Sequence, residues 1–206
     1  YSYKIKNGIL LDQDFSKPQA FHQSAIPRVG GLAGIISINI FFMIYYLIYL
    51  EILLEYIFVC NSMFLIGFLD DLKTKITPFK RLFLMIIFLF IFIHLLPIQI
   101  LNIDIPFLTS LLNNSFFSSL FVLLCFLFII NGANLIDGFN GLLTINLIII
   151  NIILAYINSI NGNAGLSLFI IGQIILLFSF LLFNFPYAKI FLGDSGSYLF
   201  GSLIAL

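Results

Sequence analysis

GLAGIISINIFFMIYYLIYL, residues 31–50, runs for twenty positions without a charge. At about 1.5 Å of rise per residue, a helix of that length covers about 30 Å, the thickness of a bilayer's hydrocarbon core. Lipid offers the backbone no hydrogen-bond partners, so such a run must be a helix or part of a closed barrel. The alternating pattern of a barrel strand is absent. Further apolar runs follow at 56–69 (of spanning length if it begins near Ile52), 82–101, 116–130, 142–157 and 166–183, and another begins after Ser197. The fold expected is all-α: a polytopic integral membrane helix bundle with six full transmembrane helices and a truncated seventh. It forms one membrane-embedded domain over residues 1–206. The start at Tyr1 and the end inside an apolar run are read as marks of a fragment with further helices on both sides.

Composition agrees. Of the 206 residues 62% are hydrophobic and 9% charged, against about a quarter charged in an ordinary soluble domain. A formal net charge of zero excludes nucleic acid as a partner, since phosphate backbones are bound by a basic excess. The 26 Phe cluster with Ile and Leu in the apolar runs, where they face lipid or neighbouring helices. Cys60 and Cys125 both lie in such runs, which argues against a disulfide framework or a cysteine metal site. No signal-peptide pattern opens the chain.

Polar residues concentrate in four islands: HQSAIPRVGG (22–31), GFLDDLKTKITPFKR (67–81), NGANLIDGFNG (131–141) and FNFPYAKIFLGDSGS (183–197). Two crossings separate each island from the next, so all four return to one face of the membrane. The nine basic residues, Lys4, Lys6, Lys17, Arg28, Lys73, Lys75, Lys80, Arg81 and Lys189, are assigned to that face. Glu51, Glu55 and Asp104 belong to the other. The positive-inside rule makes the island face cytoplasmic, and the location expected is a bacterial inner (plasma) membrane. Convergence of Asp70, Asp71, Asp137 and Asp194 at one interface reads as a catalytic site.

Asp70 and Asp71 point about 100° apart on a helix, so one can face a cavity while the other is oriented by a neighbour. Such carboxylates suit a divalent cation or a general base; the plainer reading is a solvated helix end beside Lys73 and Lys75. Asn131, Asn134, Asp137 and Asn140 recur every third residue among Gly132, Gly138 and Gly141. That pattern fits a broken helix end presenting amides to a polar ligand, or a Gly/Asn-rich turn. In FLGDSGS, Asp194 precedes an apolar helix. It, Ser195 or Ser197 can cap that helix, or the N-terminus can hold a phosphate with Asp194 binding a bridging cation. Lys189 can contact the phosphate or anchor the helix. His22 by itself carries little weight.

Together the islands resemble the motifs of the polyprenyl-phosphate N-acetylhexosamine-1-phosphate transferases of glycosyltransferase 4 type, related to phospho-N-acetylmuramoyl-pentapeptide transferase. HQSAIPRVGG is similar to H-x(4)-P-R-x-G-G, and GFLDDLKTKITPFKRL to a helix-ending D-D segment with a basic tail. NGANLIDGFNGL is similar to N-x-x-N-x-x-D-G-x-D/N-G-L, and FNFPYAKIFLGDSGS to F-N-x-x-P-A-K-x-F-x-G-D-x-G-S. The likeness runs in order from about Gly8 to Leu206. Asn140 stands where many bacterial members carry a second Asp, and the family's histidine-containing loop falls beyond Leu206.

The resemblance implies transfer of N-acetylhexosamine-1-phosphate from a UDP-sugar to a polyprenyl (undecaprenyl) phosphate. UMP is released and a cell-envelope glycan such as peptidoglycan, O-antigen or teichoic acid is begun. It implies Mg²⁺ as cofactor, or Mn²⁺ in its place, with Asp194 and Asp137 as metal ligands. The catalytic residues expected are Asp70, Asp71 and Asp194. Substrate contacts are expected from Arg28, Lys80, Arg81, Asn131, Asn134, Asp137, Asn140 and Lys189. A polytopic transporter with an acidic ion site is the alternative, but its ion site should lie near the midplane, whereas these acids sit at helix ends.

Overall fold

The computed structural model describes residues 10–12, 25–72, 74, 76–95, 103 and 105–206. His22, Asp104, Lys4, Lys6, Lys17, Lys73 and Lys75, on which parts of the sequence reading fall, lie outside them. The described residues hold a short antiparallel ladder, β1 (Leu11–Asp12) with β2 (Ile26–Pro27), and eight helices. These are α1 (Gly30–Tyr49), α2 (Leu54–Asp71), α3 (Pro78–Leu95), α4 (Pro106–Leu112), α5 (Ser115–Ile136), α6 (Leu142–Ile160), α7 (Ala164–Asn184) and α8 (Gly193–Ala205). The protein is an all-α polytopic membrane protein.

Five helices, α1, α3, α5, α6 and α7, are long and apolar enough to cross a membrane. The expected count of six is thus not reached on apolar character. α2 matches α3 at 18 residues, yet it carries Glu55, Asp70 and Asp71. α8 stands where the seventh was expected. Two boundaries moved in ways that matter for the site. α5 continues through Ile136 rather than stopping at 130, which puts Asn131 and Asn134 inside a helix. α8 starts at Gly193, so Asp194 lies in its first turn rather than ahead of it. Neither β1–β2 nor α4 was expected.

α8 occupies the middle of the bundle. It packs on α2, α5 and α1, and every residue from Ser195 to Leu203 is buried. Glycine makes that approach feasible. A Cβ on Gly67 of α2 would overlap the Asp194 carbonyl, and one on Gly31 of α1 would overlap the Ser195 hydroxyl and the Gly196 backbone nitrogen. The first turn of α8 is therefore gripped from two sides by bare backbone. One apolar cluster gathers α1, α6 and α7 against α8 through Ile38, Phe42, Leu147, Phe169 and Leu199. A second joins α2, α3 and α5 through Met63, Met85, Phe92 and Ile130, with Tyr198 of α8. Within the span, Asn39 of α1 and Asn61 of α2 exchange amide hydrogen bonds at 3.2 and 3.3 Å. Each also donates to a carbonyl of its own helix, Ile35 or Ile57. Such interhelical bonds in membranes contribute about 0.6 kcal/mol on average.

Candidate active site

The four islands meet at one end of the bundle. Pro78 opens α3, and Arg81, in the first turn, reaches back across the loop to α2 and onward to α8. Its Nη1 donates to Asp70 Oδ2 at 2.7 Å and to Asp194 Oδ2 at 2.7 Å. One cation thus bridges two carboxylates separated by more than a hundred residues of chain. Sequence placed Arg81 among the phosphate contacts; the structure makes it the clasp between two of the expected catalytic acids.

Asp71 has a different task. Its buried carboxylate accepts from the backbone N–H of Asp194 at 3.0 Å, the N–H of Ser195 at 2.9 Å and the Ser195 hydroxyl at 2.6 Å. Those N–H groups belong to the first turn of α8, where no intrahelical acceptor exists. α8 is capped in trans by the end of α2, and no side chain of its own caps it. Gly193 is required beside this cap, because its φ is +77° and a Cβ there would stand 2.5 Å from Asp71 Oδ2. Arg28 Nη1 lies 3.5 Å from Asp71 Oδ1, while its Nη2 and Nε donate to Asp12 at 2.7 and 3.2 Å. The first island therefore enters the site through an ion pair with the second.

The third island supplies Asn134, whose Oδ1 accepts from Ser197 Oγ at 2.7 Å and whose Nδ2 donates to Tyr198 Oη at 3.3 Å. Asp137 caps the C-terminus of α5 and is partly buried. Burial, reinforced by the charge of Asp194 and then Asp71 and only partly offset by Arg28, pushes its carboxyl up to about 8. The other two asparagines face elsewhere. Asn131 donates to the Leu127 carbonyl at 2.8 Å and approaches Met85 Sδ at 3.8 Å. Asn140 is exposed and donates to the Pro186 carbonyl at 3.1 Å, joining the third island to the fourth. Lys80 and Lys189 are exposed at the rim.

Sequence reasoning passed over Asn184 and Tyr198, and it offered Ser195 and Ser197 only as caps of α8, whereas their hydroxyls donate to Asp71 and Asn134. Buried Asn184 accepts from Gly141 N–H at 2.6 Å and donates to the Ile190 carbonyl at 3.0 Å, tying the α5–α6 turn to the α7–α8 loop. An asparagine at the end of an apolar helix, two residues before Pro186, was the available signal.

Among the described residues no three His, Cys, Asp or Glu side chains gather as a metal group. A Mg²⁺ site needs fewer: one or two carboxylates suffice when waters and substrate phosphates complete the shell. Asp137 and Asp194 are the residues that could hold one; burial first, and the charge of Asp194 second, raise the Asp137 carboxyl. A carboxyl whose folded value lies above the ordinary value of about 3.9 binds its proton more tightly in the folded state. Stability is then lost as pH rises from about 4 to about 8. Metal-free protein should show a melting temperature that falls between pH 5 and pH 8, and Asp137→Asn should flatten that slope and melt higher than wild type at pH 8. Differential scanning fluorimetry with chelator reads both; parallel slopes would remove the burial penalty assigned to the Asp137 carboxylate.

Comparison with known proteins bears on the family. The family model for glycosyl transferase family 4 matches residues 53–206. The chain is 34% identical over 151 residues to the phospho-N-acetylmuramoyl-pentapeptide-transferase of Streptococcus thermophilus (strain CNRZ 1066), covering 69% of this chain and 44% of that protein. It is 32% identical over 193 residues to the enzyme of the same name from Petrotoga mobilis, covering 89% and 60%. Against that of Clostridium perfringens (strain 13) it is 29% identical over 214 residues, covering 99% and 67%. The chain thus spans about half the length of the first of these relatives. With three quarters of its length inside the matched region and the carboxylate motifs assembled at one end of a helix bundle, the chain belongs to glycosyl transferase family 4.

Proposed function

We propose that the full-length protein transfers N-acetylhexosamine-1-phosphate from a UDP-sugar to a polyprenyl phosphate at the cytoplasmic face, releasing UMP and starting a cell-envelope glycan. The observation that carries this reading is the Asp70–Arg81–Asp194 bridge built against an α8 terminus capped by Asp71. It sets acidic and basic groups together at the end of a membrane bundle, where a lipid phosphate and a nucleotide diphosphate can both arrive. The relatives, named for transfer of phospho-N-acetylmuramoyl-pentapeptide, support the class of reaction. The excess of basic residues in the islands supports the cytoplasmic orientation.

In the reaction a lipid phosphate oxygen forms a bond to the β-phosphorus of the UDP-sugar. The bond from that phosphorus to the bridging oxygen breaks, and UMP leaves with the electron pair. Asp194 and Asp137 are the residues that would hold Mg²⁺ or Mn²⁺, whose chemistry is to neutralise the diphosphate charge. Asp70, the less buried of the adjacent pair, orients the lipid phosphate or accepts its proton, whose second ionisation lies near pH 6. Asp71 positions the α8 terminus. Arg28, Lys80 and Lys189 attract phosphates at the membrane surface. Asn140 lines the approach of the nucleotide-sugar, with Asn131 and Asn134 fixing the α5 end behind it. A transport reading needs a charged site near the midplane; among the described residues the Asn39–Asn61 pair found within the span is neutral.

The test is a panel of radiolabelled UDP-N-acetylglucosamine, UDP-N-acetylgalactosamine and UDP-N-acetylmuramoyl-pentapeptide supplied to membranes expressing the full-length protein with undecaprenyl phosphate. UMP release that depends on the added lipid phosphate, with label entering the lipid fraction, is expected for one donor. Lack of such release from every donor would refute the assignment.

A further inference from the structure

Two helical ends carry the carboxylates Asp137 and Asp194, and the contact between these ends sits one turn away from each. On α5 it is Asn134, three residues before Asp137; on α8 it is Ser197 and Tyr198, three and four residues after Asp194. The Asn134 amide is engaged on both sides, its carbonyl by the Ser197 hydroxyl at 2.7 Å and its NH₂ by the Tyr198 hydroxyl at 3.3 Å. Ser197 is fully buried and Tyr198 is 2% exposed. The Tyr198 ring is wedged into the cluster containing Met85 and Ile130, so its hydroxyl cannot swing away without moving the core. One turn further along α8, a Cβ on Gly201 would stand 2.8 Å from the Ala133 Cβ and 3.2 Å from the Ile130 Cα. The two backbones are thus already in close approach, and the amide–hydroxyl lock fixes the rotation and sliding that this contact leaves open.

We propose that Tyr198 and Ser197 are positioning residues for the cation site: by clamping Asn134 they set the separation of Asp137 and Asp194. The proposal rests on the transferase reading for its biological sense. Its geometry stands on the α5–α8 contact alone. Neither residue touches substrate in this scheme. Tyr198 acts through the amide of Asn134, and Ser197 through that amide and through its contact with the Asp194 carbonyl at 3.2 Å. The amide holds the α5 end, so weakening the lock spreads the carboxylates and lowers affinity for a divalent ion.

The experiment measures Mn²⁺ binding to the purified full-length protein by electron paramagnetic resonance, without donor or turnover, together with melting temperature. Tyr198→Phe and Ser197→Ala should each raise the half-saturating Mn²⁺ concentration roughly three- to tenfold, the factor that follows from one lost buried hydrogen bond. Tyr198→Phe added to Asn134→Leu should produce no further change, since the shared partner is gone. Asn61→Ala serves as the comparison, because it cuts the interhelical pair of α1 and α2 and should lower melting temperature without moving Mn²⁺ affinity. Unchanged Mn²⁺ affinity in both Tyr198→Phe and Ser197→Ala would overturn the proposal. So would an equal shift in Asn61→Ala, or a wild-type protein that binds no Mn²⁺. Failure of UMP release across the donor panel, with the Mn²⁺ shifts intact, would instead sink the transferase reading and leave the lock standing.

Discussion

Asp194→Asn in the full-length protein should lower UMP release by at least about a thousandfold, with no recovery as Mg²⁺ is raised, because charge neutralisation on a diphosphate is worth several kcal/mol. The substitution isolates charge from shape. The Asp194 N–H is held by Asp71, and the next residue is held by the same carboxylate, so the main chain stays in place whatever the side chain. Asparagine is nearly isosteric and still offers Arg81 an acceptor oxygen. Arg81 also keeps its partner Asp70. Burial raises the Asp194 carboxyl to about 7, a penalty the amide does not carry, so above that pH the melting temperature should be no lower than that of wild type while catalysis collapses. Near-normal turnover across a Mg²⁺ titration would remove Asp194 from the metal role.

Gly67→Ala should have a comparably large effect by an unrelated route. The added Cβ would overlap the Asp194 carbonyl and come within 2.6 Å of Ser195 Cα. Both are backbone atoms, so no rotamer change relieves the overlap. α8 cannot retreat either, since Gly31 of α1 supports it from the other side. Overpacking of this kind costs about 1–3 kcal/mol even in cores that can adjust, and this seam lies in a principal contact of the bundle. Any shift of α2 against α8 also pulls Asp71 from its cap, and a displacement of about 1 Å in a reacting geometry can cost about a hundredfold in rate. Yield in detergent, melting temperature and UMP release should all fall. A variant with wild-type values for all three would show the seam to be looser than described.

The membrane character and the meeting of the islands were legible in the sequence because they depend on residue type and parity alone. The apolar runs at 31–50 and 142–157 appear as α1 and α6 with small changes in their ends. The start of α8 was not legible, because its cap comes from Asp71 on another helix and nothing local announces it. The spacing of three among Asn131, Asn134, Asp137 and Asn140 fits a broken helix end or a Gly/Asn-rich turn, and the structure gives both, with α5 ending at Ile136 and a turn after it. Each step of three turns back by about 60° on a helix, which carries Asn131 towards Met85 while Asn134 meets α8. Asn140 falls past the helix end and binds the Pro186 carbonyl. Tyr198 opens the apolar run after Ser197, and its hydroxyl gains meaning only opposite Asn134.

The cap in trans also bears on how the protein is made. α2, with its three acids, is the least favourable of the long helices for the translocon to release into lipid, where an Asp at a helix centre costs about 2.5–3.5 kcal/mol. Its terminal carboxylate finds the backbone that satisfies it only after 123 further residues have been synthesised. Until α8 emerges, the nascent chain carries an incompletely satisfied acidic helix end at the membrane surface. The end of α2 and the start of α8 are thereby completed together, so a chain lacking α8 leaves the Asp71 carboxylate without the backbone N–H groups that satisfy it here.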